Sequence, residues 1–174
     1  YVKHLYKRLQ REGQLERDVD RLVRNDRIAW GASMIACQDA DAMVTGNIRH
    51  YAASIEKLKK VTDPRPGEEI FGMTMITLKG KTILVADTNV QDFPSPERLV
   101  KVSKSCVRVA RLFGFDPKVA FLSHSTFGKP ISKNTKHVRD AINLLKKEKV
   151  DFDFDGEMQP DVALNPIYQE IYPF

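Results

Sequence analysis

Residues 63–67 read Asp-Pro-Arg-Pro-Gly, and no regular element can run through them. Each proline lacks an amide hydrogen, fixes its own φ and restricts the residue before it, and the glycine adds freedom at the end. Upstream the apolar residues recur at helical spacing. Downstream they first follow a strand pattern. The break is therefore the candidate boundary between residues 1–63 and residues 64–174, each read as part of an α/β subdomain.

Before the break, Leu5 and Leu9, then Val19, Leu22, Val23, Trp30, Met34 and Ile35, recur three or four residues apart, with one step missing at Asp26. Gly31, Ala32 and Ser33 are small enough for a neighbouring element to come close. Asp41 to Thr45 reads as a short buried strand, followed by Gly46-Asn47 and an amphipathic helix over 48–60. After the break, 70–78 and 82–86 read as two strands joined by Lys79-Gly80-Lys81, a hairpin signal. Ser95 is placed to cap a helix whose first position suits Pro96. Its stripe is Leu99, Val102, Cys106, Val109 and Phe113, and Gly114 can close it. Val119 to Leu122 is a continuous apolar run, as in a strand buried on both faces. Another helix carries Val138, Ala141, Ile142 and Leu145. Phe152 and Phe154 alternate with aspartates in a strand read as ending at Asp155-Gly156. A last helical turn lies near 166–172. Helices alternating with strands imply an α/β fold with mainly parallel sheets and covering helices, plus one antiparallel hairpin.

The chain has 174 residues, of which 42% are hydrophobic, enough for one or two small cores. Its formal net charge is +5, a sign that suits polyanions or a phosphorylated cofactor. The basic residues are nevertheless dispersed. The densest run, Lys146-Lys147-Glu148-Lys149, has no aromatics interleaved, which argues against a nucleic-acid stacking surface. No uninterrupted apolar run is long enough to span a membrane. Cys37 and Cys106 belong to no metal or redox spacing and read as small hydrophobes in a reducing, cytoplasmic setting. His4, His50 and His137 show no metal-ligand spacing. The first residue is Tyr1 and the last, Phe174, follows directly on a helix-like segment, so both ends are expected to be cuts through a larger protein.

Ligands of open α/β sheets bind beyond the carboxyl ends of the strands, which selects four segments. Thr45, Gly46 and Arg49 form either an anion site, with a sharp turn, helix amides and a guanidinium, or an ordinary strand-to-helix turn. Asp87, in Asp87-Thr88-Asn89, is either a ligand carboxylate or a cap. Ser123, Ser125, Thr126 and Gly128 form a hydroxyl-rich loop able to donate to phosphate oxygens. There is no nucleophile elbow there, which leaves His124 a weak candidate base. Asp155, Glu157 and Asp161 either hold a cation or do acid–base work, or they serve as turn and helix caps.

The segments Asp39 to Gly46, Val85 to Thr88, Ser123 to Gly128 and Asp155 to Pro166, in this order and separation, resemble the phosphate acetyl/butyryltransferase family. The resemblance covers essentially the whole chain. The Asp-Gly-Glu-Met-Gln run and the Ser-Thr-Phe-Gly loop are specific when found together. Within the family the chain is most similar to the domain fused behind the malate-oxidising part of bacterial NADP-dependent malic enzymes, on Leu5-Tyr6-x-Arg8-Leu9-Gln10, Asn25-Asp26-Arg27 and Tyr172-Pro173-Phe174.

The resemblance implies two α/β subdomains with a cleft between them, binding of acetyl-CoA, regulation of the malate-oxidising part, and assembly of homo-oligomers through this region. NADP and a divalent Mg or Mn ion would belong to the missing N-terminal part, and no metal is expected on this chain. Free-standing acetyltransferases of the family carry Arg-Pro in the helix after the Gly46 loop, where this chain has Glu56-Lys57. An anion there repels a phosphate. The family's Ser-Arg…Asp catalytic motif falls beyond Phe174. The expected function is regulation and oligomerisation without acyl transfer. The alternative is an active phosphate acetyltransferase, with Asp161 the candidate catalytic residue.

Overall fold

The computed structural model describes residues 1–87, 93–130 and 135–172. Of the residues quoted above, Thr88, Asn89, Pro173 and Phe174 lie outside that set. The chain divides into two compact units, Tyr1–Pro64 and Arg65–Phe174.

The first unit has four helices among the described residues that are longer than one turn: α1 (Val2–Leu9), α2 (Glu16–Asn25), α3 (Arg27–Ala36) and α4 (Tyr51–Val61). A 3-10 turn over Gln10–Glu12 ends at Gly13, whose φ of 81° lets the chain reverse. Leu5, Leu9, Val19, Val23, Ala29, Ala32 and Val61 form the core. The missing apolar step at Asp26 is the N-cap of α3, where its carboxylate accepts from the amides of Ile28 and Ala29. Helix α3 buries Ile28, Ala29, Ala32 and Ser33, while Trp30, expected on the core stripe, is 48% exposed and meets the edge of Tyr1.

The expected strand over 41–45 is not formed. Val44 is fully exposed, and among the described residues no strand pairs with this segment. A lone extended segment has no ladder to join, so its amides stay with solvent. Met43 instead lies on Gly31, where an ideal Cβ would come within 2.5 Å of its sulfur, the close approach that the small residues of α3 permit.

The second unit begins with strands β1 (Met73–Leu78) and β2 (Lys81–Ala86), paired antiparallel from Met73↔Ala86 to Leu78↔Lys81. The two connecting residues, Lys79 and Gly80, both have positive φ, which gives the turn the twist a tight hairpin needs. Helix α5 (Pro96–Leu112) starts where expected, with the Ser95 side chain accepting from the Arg98 amide. It buries Val100, Val102, Ser103, Val107 and Ala110, a stripe rotated from the expected one, and Phe113 remains 59% exposed.

Strand β3 (Val119–Leu122) pairs parallel to β4 (Phe154–Met158), with α6 (Lys136–Glu148) between them in sequence. Helix α6 packs on α5 and β4, and Val100, Phe121, Val138, Ala141, Ile142 and Leu145 form the core of this unit. Only Phe121 of the β3 run is buried and Leu122 is 46% exposed, so β3 is covered on one face rather than two. Two short helices follow, α7 (Pro160–Leu164) and α8 (Pro166–Gln169). The architecture is α/β with one parallel and one antiparallel pair.

Candidate functional site

The hydroxyl-rich loop and the acidic segment come together in the second unit, and an irregularity in β4 brings this about. Ala120 pairs with Asp155 and Phe121 with Gly156, but Leu122 pairs with Met158, so Glu157 is an extra residue in the ladder. In a regular strand positions 155 and 157 would share a face. The inserted residue breaks that alternation. Asp155 is exposed, while Glu157 is buried without any solvent-accessible surface. The strand read as ending at Asp155-Gly156 thus continues through Glu157 to Met158. Gly156 sits at φ 141°, and a Cβ there would lie 2.7 Å from the carbonyl oxygen of Phe121, so the close strand approach requires glycine.

Glu157 organises the loop. Ser125, equally buried, donates from its hydroxyl to Oε1 at 2.6 Å, and Arg139 donates from Nη1 to the same oxygen at 3.3 Å. The Phe127 amide donates to the Glu157 carbonyl at 2.7 Å. Oε2 of Glu157 is buried without a hydrogen-bond partner among the described residues. The neighbouring Gln159 donates from Nε2 to the His124 carbonyl at 2.9 Å and from its amide to the Thr126 hydroxyl at 3.2 Å. The Ser123 amide donates to the Met158 carbonyl at 2.9 Å, and its hydroxyl lies 3.4 Å from that of Ser125. Gly128 has φ 84°, and a Cβ there would sit 3.4 Å from Nη1 of Arg139. The loop is therefore held at both ends by the strand beside it. Ser125 and Thr126 are turned inward, while His124 and Asp155 face solvent. The Asp155 carboxylate accepts from the Gly156 amide at 2.8 Å, and Asp161, exposed in the first turn of α7, accepts from the Val162 amide at 2.9 Å.

Asp87 follows β2 and belongs to a separate charge network. Its Oδ2 accepts from Nε and Nη2 of Arg98 at 3.3 and 3.1 Å. Arg98 also donates to Glu69 at 3.0 Å and to the Ile70 carbonyl at 2.7 Å. Both side chains of the pair are almost buried, and Oδ1 of Asp87 has no hydrogen-bond partner among the described residues. Burial, and then the charge of Asp87, push the Cys106 thiol up to about 11. Neither Arg98 nor Arg139 was singled out from the sequence. What could have found them is the rule that a buried carboxylate must have a cation within reach.

Thr45, Gly46 and Arg49 lie in the first unit. Thr45 and Gly46 are exposed, and Gly46 has φ 133°. Arg49 is engaged by Asp26, whose Oδ2 accepts from Arg49 Nη1 at 2.5 Å and also from Lys57 Nζ. Burial pushes the Asp26 carboxyl up, but the hydrogen bonds from Lys57, Arg49 and the amides of Ala29 and Ile28 outweigh it and hold it well below the usual carboxylate range. Glu56 points to solvent and pairs with Lys60 at 3.3 Å, one turn along α4. Among the described residues no cluster of three or more His, Cys, Asp or Glu is arranged to hold a metal ion, and no helix is long and apolar enough to cross a membrane.

Known proteins resemble the chain in sequence and in fold. The chain is 45% identical over its full 174 residues to the NADP-dependent malic enzyme of Rhizobium meliloti (strain 1021), and it spans 23% of that protein's length. It is 30% identical over 142 residues, 81% of the chain, to a phosphate acetyltransferase of Nitratidesulfovibrio vulgaris, of which it spans 20%. A phosphotransacetylase structure from Streptococcus pyogenes superimposes on 97% of the chain and 53% of its own, with a TM-score of 0.82 at 26% identity. Residues 1–171 match the family described as phosphate acetyl/butaryl transferase. With that match over almost its whole length, the chain belongs to the phosphate acetyl/butaryl transferase family.

Proposed function

We propose that this chain is the phosphotransacetylase-like part of an NADP-dependent malic enzyme, which binds an acyl-CoA and joins subunits without transferring an acyl group. The parent reaction is then the oxidative decarboxylation of malate to pyruvate, with NADP and divalent Mg or Mn held outside these 174 residues. The identity to the Rhizobium meliloti protein over the full chain supports the parent. The observation that carries the loss of acyl transfer is the commitment of Arg49 and Lys57 to Asp26, with Glu56 left facing solvent. These two cations are then engaged by a carboxylate of the chain itself, which weakens their hold on an acyl phosphate. The ordered Ser123–Gly128 loop, together with Asp155, is the proposed contact for the ligand.

For binding to regulate the parent reaction, the ligand must bind two states of the oligomer unequally. Titrating acetyl-CoA into the intact protein tests this. Binding heat accompanied by a change in malate oxidation is expected. The absence of both removes the proposal. Light scattering on the same protein reports self-association, and a monomer would rule out the assembly role. The reading places the protein in the cytoplasm, with no nucleic-acid or membrane partner.

A second reading, an active phosphate acetyltransferase, is favoured by the assembled hydroxyl loop and by Asp161 on its exposed turn. Coenzyme A-dependent turnover of acetyl phosphate, abolished by Asp161→Asn, would put this reading first.

A further inference from the structure

Four donors converge on the carboxylate of Asp26, and they come from three parts of the first unit. The amides of Ile28 and Ala29 open α3, the Arg49 guanidinium precedes α4, and the Lys57 ammonium projects from it. Two backbone N–H groups at a helix start, a guanidinium and an ammonium are the donor set that binds phosphates and carboxylates. The occupant here is an aspartate of the chain itself. Asp26 brings one negative charge against two positive ones, so the cluster keeps an excess positive charge.

The cations are not walled in. The side chains of Arg49 and Lys57 are 41% and 33% exposed, while that of Asp26 is 8% exposed. A cavity of about 580 Å³, lined in part by Asp26, Lys57, Lys60, Arg21 and Asn25, opens on the same place. Its wall also carries Glu12 and Asp18, so it is the converging donors, rather than the cavity as a whole, that select an anion.

We propose that Asp26 is a built-in occupant of an anion site, and that its carboxylate excludes a phosphate or phosphate monoester that Arg49, Lys57 and the α3 amides would otherwise bind. Neutralising the carboxylate leaves both cations without their counter-charge and opens the site to an external dianion. The site is built from residues of the first unit alone, and the inference does not depend on the identity of the parent enzyme.

The test uses the intact protein with Asp26→Asn, a neutral isostere that still offers an oxygen to cap α3. Inorganic phosphate is titrated calorimetrically into the wild type, the variant, and the variant also carrying Arg49→Gln or Lys57→Gln. The variant is expected to bind phosphate at least about tenfold more tightly than the wild type, a difference of about 1.4 kcal/mol. Arg49→Gln should abolish the gain. Equal affinity in wild type and variant, or a gain that survives both Arg49→Gln and Lys57→Gln, overturns the proposal. Should Asp26→Asn not fold by circular dichroism, Asp26→Ser, which also caps, carries the same titration. Acetyl-CoA binding is read separately, so failure here leaves the acyl-CoA reading standing, and the reverse also holds.

Discussion

The hydroxyl of Ser125 donates to Oε1 of Glu157 at 2.6 Å, and neither residue has any exposed surface. A buried carboxylate held by one hydroxyl and one guanidinium is costly to disturb from either side, because the remaining partner is left desolvated. Glu157→Ala strands both the Ser125 hydroxyl and Arg139 and is expected to destabilise the protein by about 3 kcal/mol. Glu157→Gln keeps an acceptor for Ser125 and should cost roughly 1 kcal/mol. Urea midpoints of the two variants check the ranking. Equal losses would show that the charge, rather than the hydrogen bond, holds the loop.

Gly156→Ala tests the strand approach. The added methyl group would meet the Phe121 carbonyl oxygen at 2.7 Å, in a backbone region that side chains rarely adopt. The main chain cannot yield as a flexible side chain would, so a loss of roughly 2 kcal/mol or more is expected in chemical denaturation. Gly114→Ala is the control. It has positive φ but open space around its Cβ, and it should cost about 1 kcal/mol.

Arg98→Lys separates geometry from charge. Arg98 reaches Asp87, Glu69 and the Ile70 carbonyl at once, and an ammonium cannot span that fork. A loss of about 2 kcal/mol is expected in thermal or urea unfolding, although the charge is retained. A neutral outcome would mean that the network is held by charge alone.

The Cys106 thiol, pushed up to about 11, should resist alkylation. An ordinary thiol titrates near 8.5, so at pH 8 the thiolate fraction of Cys106 is lower by roughly two hundredfold. Mass spectrometry of iodoacetamide adducts before and after unfolding measures this ratio. Rapid labelling of Cys106 in the native state would contradict it.

Asp26 gives an acid signature with a definite sign. Its carboxyl titrates lower in the folded protein than in the unfolded chain, as the cation pairs outweigh burial. Its contribution is therefore complete above the unfolded pKa near ~4 and is lost as pH falls from there toward the folded value. Wild-type stability should fall below about pH 4, and Asp26→Asn should flatten that part of the curve while being the less stable protein at pH 7. Parallel curves for the two proteins would show that other carboxylates carry the acid sensitivity.

What the sequence made legible was local. Ser95-Pro96 starts a helix by its own chemistry, and Lys79-Gly80 between two strand-like runs makes a hairpin, so both were readable in place. The strand was read as ending at Asp155-Gly156, two residues short of Met158, because Gly normally marks a turn. Here Gly156 is needed for close passage by Phe121, a partner more than thirty positions away that no local pattern reveals. The strand expected over 41–45 had the right composition, yet a strand is defined by its neighbour, and none pairs with it among the described residues. Arg49 was legible as a cation near a glycine turn. Its engagement was not, because neither the gap that Asp26 leaves in an apolar stripe nor its place in Asn25-Asp26-Arg27 points to a partner more than twenty positions away.

The parallel pairing of β3 with β4 sets the order in which the second unit can form. Leu78 meets Lys81 across a two-residue turn, so the hairpin closes locally and early. Val119 meets Phe154 only after the whole of α6 has been spanned, and that loop entropy is lost before any core contact returns it. During synthesis the β4 residues emerge late. Until they do, Phe121 has no neighbouring strand among the described residues, and only α5 covers the apolar face of α6.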